Sequence, residues 1–163
     1  MLIGTTLAAC TGKSNSDNPF FQEYTNEYGA PPFEQIKNEH YLPAFEEGMK
    51  QHQAEIDSIV NNPEAPTFAN TIEAMEYSGE LLNKVSTVFF NLQSAETNDE
   101  INKIAQEITP KLTGHSDNIY LNDKLFQRVK TIYEAKATLG LNPEQERVLD
   151  KIYKRFVRGG ADL

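Results

Sequence analysis

The chain reads as an all-α protein, an antiparallel bundle-like array of about five helices. Three observations point there. Apolar residues return at helical spacing in five successive stretches, and each stretch is bounded by proline, glycine or a capping residue. No segment alternates apolar and polar residues as a half-buried strand would, and no repeat of 20 to 50 residues is visible.

The first helix carries Leu42, Phe45, Met49, Ile56, Ile59 and Val60 on one face, with Pro43 in its first turn, where a missing backbone donor does no harm. Asn61-Asn62-Pro63 ends it, and Pro66 closes the connection. Thr67 or Asn70 caps a second helix whose face is Ile72, Met75, Leu82, Val85, Phe89 and Leu92, so the two form an antiparallel hairpin. Gly79 falls where a packed neighbour could come close.

Thr97-x-x-Glu100 has the capping-box pattern, and Ile101, Ile104, Ile108, Leu112 and Ile119 follow as a third helix. Pro110 inside that pattern predicts a kink, or a break before Lys111. Leu121-Asn122-Asp123 punctuates the next boundary. Leu125, Val129, Ile132 and Tyr133 define the fourth helix, which stops at Leu139-Gly140-Leu141. Asn142-Pro143-Glu144 then caps a fifth, with Val148, Leu149, Ile152, Tyr153, Phe156 and Val157 on a face wide enough to need partners on more than one side.

At 163 residues, 39% of them hydrophobic, one domain with a real core is expected. The net charge of -9 disfavours nucleic acid and anionic surfaces as partners. Lys151, Lys154, Arg155 and Arg158 recur at helical spacing and read as the solvated side of the last helix. The single cysteine allows no internal disulfide. Leu7-Ala8-Ala9-Cys10 is similar to a bacterial lipobox, which would make Cys10 a lipid acceptor and the polar residues Thr11 to Asn18 a tether. The absence of Lys or Arg before Cys10 leaves an incidental cysteine as the other reading. Residues 1–10 are accordingly read as a residual signal, 11–32 as tether and approach segment pinned by Phe20, Phe21 and Phe33, and 33–163 as a helical domain.

Hydrolytic zinc needs two imidazoles on one helix face, a third ligand and a neighbouring Glu. His40, His52 and His115 lie far apart, and none has a second His four residues on. His40 is expected to bond a backbone group or carboxylate at a helix start, His52 to pack half-buried, and His115 to pair with Asp117. Glu73, Glu76 and Glu80 read as a wet face, and Ser78 and Ser86 lack a nucleophile elbow. Phe68, Tyr77, Phe89 and Phe90 are core candidates. The residues therefore assign no catalytic, cofactor-binding or metal-binding position in this chain.

Three short stretches nevertheless carry a pattern: Pro32-Phe33-x-x-Ile36-x-x-x-His40-Tyr41-x-Pro43-Ala44-Phe45, Pro66-Thr67-Phe68-x-Asn70-Thr71-Ile72, and Val88-Phe89-Phe90-Asn91. In this order they resemble the opening of zinc metallopeptidases of the thimet oligopeptidase, oligopeptidase A and dipeptidyl carboxypeptidase family. The resemblance implies a parent with two helical halves around a channel that admits short peptides. Zinc would belong to that parent. Its ligands, general-base Glu and later stabilising Tyr and His match no position here, so the chain alone is expected to be inactive and to shape the channel wall. Its partners would be short peptides and the remainder of the peptidase, with the bacterial envelope as location, or the cytoplasm if Cys10 is incidental. The alternative is a stand-alone helical lipoprotein serving as a binding or scaffolding module.

Overall fold

The computed structural model describes residues 17–95 and 98–161, which are helical throughout their ordered elements and contain no strand. Cys10 and Thr97 lie outside the described residues. Five long helices and one short one make up the array: α1 (Tyr41–Val60), α2 (Ala74–Tyr77), α3 (Glu80–Ala95), α4 (Asp99–Tyr120), α5 (Asp123–Ala135) and α6 (Pro143–Gly159).

Helix α1 is the shared element of two apolar cores. Its first turns bring Tyr41, Ala44 and Phe45 to a core completed by Phe20, Val85, Val88, Phe89, Ile101, Ala105 and Ile108. Its last turns bring Ile56 and Ile59 to a second core of Ile72, Ile119, Leu125, Phe126, Val129, Ile132, Leu149, Ile152 and Phe156. Each such large side chain taken out of water contributes about 1.5–3 kcal/mol before entropy is set against it. Helices α1 and α3 run antiparallel, as the hairpin reading requires, with Phe45 on Phe89 at one end and Gly48 on Leu82 further along. Helix α4 runs parallel to α1, since Asn38, Glu46 and His52 meet Glu100, Lys111 and His115 in the same order.

Gly48 marks the closest approach. A Cβ there would stand 2.9 Å from the Leu82 Cα, so only hydrogen lets the two backbones cross at this distance. Gly79 has the close neighbour its position suggested, the His52 ring 3.0 Å from where a Cβ would stand, and it also interrupts the helix. The second helix is not continuous: a π turn, Phe68–Glu73, leads into α2, and the chain breaks at Ser78 and at Gly79, whose φ is +75°. Thr67 and Asn70 both cap this segment, each side chain accepting the other's backbone N–H at 3.1 and 2.8 Å.

Other expectations are corrected by the packing. Helix α4 continues through Pro110, which lies on the exposed face, so of the kink or break expected there the break does not occur. Its cap is Asn98, whose side chain accepts the Ile101 N–H at 2.9 Å. Phe33 is 55% exposed and pins nothing. Phe20 is buried and Phe21 half-buried against the first core, as expected of them, with Asn18 donating to the His40 carbonyl at 2.9 Å. Tyr77 is 78% exposed rather than core. The wide face of α6 finds its partners within the described chain, in α4, α5 and the π turn, and leaves only Val157 among its apolar residues well exposed.

Candidate functional site

Between the two cores lies a polar seam made by two histidines. His52 follows Phe45 and Met49 in the apolar register of α1, and His115 follows Ile108 and Leu112 in that of α4. Parallel packing of α1 and α4 therefore sets them opposite each other. His115 Nε2 lies 3.0 Å from His52 Nδ1, with the rings tilted and their centroids 5.0 Å apart. A contact of this length requires one nitrogen to carry hydrogen and the other to offer its lone pair. Burial holds both imidazoles below the ordinary histidine range. For His52 the neighbouring ring acts in the same direction, and Glu55 pulls the other way.

The chain break at Gly79 sits directly on this pair. A Cβ at Gly79 would meet the His52 ring at 3.0 Å, and the Gly79 N–H donates to Glu55 Oε2 at 2.7 Å. An open cleft of about 590 Å³ adjoins His52 and Gly79, with Glu76, Glu80 and Arg155 among its lining residues. The Arg155 guanidinium lies 3.9 Å from the Tyr120 ring centroid. The Ser78 hydroxyl donates back to the Met75 carbonyl at 2.7 Å, as a helix-end bond. His115 thus pairs with His52 and not with Asp117. His40 accepts the Lys37 N–H on Nδ1 at 3.0 Å, the backbone bond expected of it. Glu73, Glu76 and Glu80 are exposed, as are Lys151, Lys154, Arg155 and Arg158.

Two buried or half-buried cations were not foreseen. Arg128 on α5 is 9% exposed and donates to the Asn62 and Glu64 carbonyls at 3.0 and 3.3 Å, to Thr71 Oγ1 at 3.3 Å and to Asn70 Oδ1 at 3.2 Å. It clamps the loop between α1 and the π turn. The signal was its place three residues after Leu125 and four before Ile132, in register with the apolar face. Lys84 on α3 donates to the Phe20 and Gln22 carbonyls at 3.2 and 2.7 Å, and its ammonium lies 3.8 Å from the Tyr24 ring centroid. Burial lowers the ammonium's pKa and raises that of the Tyr24 phenol. This second clamp fastens the approach segment to the helices.

No family model matches the sequence. Individual relatives do. The dipeptidyl carboxypeptidase of Salmonella typhimurium is 45% identical over 148 residues, 91% of this chain and 22% of the relative. That of Escherichia coli is 47% identical over 146 residues, 90% of this chain and 21% of the relative. This chain is similar to dipeptidyl carboxypeptidases. It spans about a fifth of the length of the dipeptidyl carboxypeptidases it matches. The similarity includes nine-tenths of the chain.

The parent resemblance implies zinc, and the seam is the place where ligands come together. Its donor set does not fit a catalytic zinc. Two imidazoles meet there with no third ligand beside them, and no group of three His, Cys, Asp or Glu side chains with metal-binding geometry occurs among the described residues. What the pair can do is share and hold protons.

Proposed function

We propose that this chain is the opening helical part of a zinc-dependent dipeptidyl carboxypeptidase, in which it forms a wall of the substrate channel while the zinc chemistry belongs to sequence outside it. The observation that carries the proposal is the 45–47% identity to two dipeptidyl carboxypeptidases across nine-tenths of this chain and about a fifth of theirs. Two cores sharing α1 and fastened by Arg128 and Lys84 suit a wall, because a wall must keep its shape while peptides pass. The peptides served would be short ones with a free C-terminus, trimmed two residues at a time. On this reading the 163-residue chain supplies positioning surface and no reacting group.

The test is to isolate the natural product with an antibody against this chain and to assay it on a blocked tripeptide. The expected product is several times longer than 163 residues and carries a His-Glu-x-x-His helix. It releases the C-terminal dipeptide, and a zinc chelator stops it. The 163-residue chain by itself is expected to release none. A natural product no longer than this chain, or dipeptide release by the chain alone that a chelator abolishes, sinks the proposal.

A further inference from the structure

We propose that His52 and His115 form a proton-operated latch between the two cores: one hydrogen shared between the rings keeps it closed, and full protonation of both rings opens it. The geometry carries this. With the facing nitrogens 3.0 Å apart, the pair holds together as N–H···N, or as N–H⁺···N after a first proton arrives. A second proton removes the last lone pair and leaves two cations face to face in a half-buried seam, where their repulsion is poorly screened.

Opening has a definite structural consequence. His52 closes over buried Gly79, the break between α2 and α3, so a ring that swings away uncovers that break and changes the floor of the adjoining cleft. The charged groups on the His52 side are Glu55 of α1, which acts on the ring, and Glu76 of α2, Glu80 of α3 and Arg155 of α6, which line the cleft beside it. Helix α5 faces α1 with Arg128, which is taken up farther along at Asn62. Glu55 favours a proton on His52. Burial and the neighbouring ring oppose it and act more strongly. Because the folded imidazoles sit below their unfolded value of about 6.5, the latch stabilises the fold fully above that pH. Its contribution is lost as pH falls through the lowered folded values.

The test combines an imidazole titration by NMR with amide hydrogen exchange on the full chain. The rings are expected to titrate in two steps, the second about one unit or more below the first. The opening constants at the Gly79 and Asn83 amides should rise about tenfold between pH 7.5 and 5.5 after correction for intrinsic exchange. His52→Asn and His115→Gln place an uncharged amide where each bonding nitrogen stands, and each should flatten that rise. A single joint titration near the ordinary histidine value overturns the proposal, even if a variant fails to fold. So does an equal rise in the wild type and both variants.

Discussion

The two cores at the ends of α1 differ in how most of their aromatic rings meet. Near the start of α1, Tyr41, Phe45, Phe89 and Phe90 meet edge to face, with interplanar angles between 62° and 86°. Near its end stacking is commoner: Phe126 stacks on Tyr153 and Phe156 at 26° and 28°, and Tyr133 on Tyr153 at 6°, while Tyr120 meets Phe156 edge-on at 60°. In the first core the long-range close approach of α1 and α3 at Gly48 sets ring against ring, and Phe20 closes the end from far upstream. In the second, adjacent antiparallel helices α5 and α6 line up their rings in a file that runs out to half-buried tyrosines. The difference teaches that one core depends on contacts distant in sequence and the other largely on a local hairpin.

The strongest way to break that comparison is to remove a ring from each core. Phe89→Ala and Phe156→Ala should each cost about 3–5 kcal/mol in urea denaturation, since both side chains are fully buried. If the cores melt as one unit through α1, either variant lowers a single transition. Two separated transitions would show the cores to be independent. Gly48→Ala comes next, at about 1–3 kcal/mol, because its methyl must displace backbone of α3. Its effect should fall on the first core, read as faster exchange of α3 amides than of α6 amides. Arg128→Met should cost a similar amount, about 1–3 kcal/mol, by leaving the buried acceptors around it unsatisfied, and it should loosen the second core first. The smallest effect is expected for Lys111→Ala. That lysine bridges Glu46 and Glu107 on the solvent side of α1 and α4, and the melting midpoint should not move measurably.

The local hairpin was the easier half to read. Leu125, Val129, Ile132, Leu149, Ile152 and Phe156 lie in plain helical register, and Asn142 with Pro143 announces the turn between them. The first core was legible in its helices and in Phe20 and Phe21, which close it as expected, but Phe33 stays exposed because nothing in its local sequence shows that the approach segment leaves the helices there. The break at Gly79 escaped for a related reason. Its left-handed backbone is stabilised by Glu55 and His52, which lie a helix away in sequence. Of the two outcomes Pro110 allowed, the break does not occur, because the proline faces solvent within a continuous helix. The seam was half visible: His52 and His115 each stand in an apolar register, and only the parallel course of α4 along α1 makes them a pair.

Arg128 carries a last consequence. Its four acceptors are two peptide carbonyls, a hydroxyl and an amide oxygen, none of them charged. Concentrated electrolyte weakens an exposed pair such as Lys154 and Asp150, and acid removes the carboxylate altogether. Neither agent has a counter-charge to take from Arg128. The loop after α1 should therefore keep its place in brine, a condition under which the surface of the same molecule has lost most of its ionic contacts.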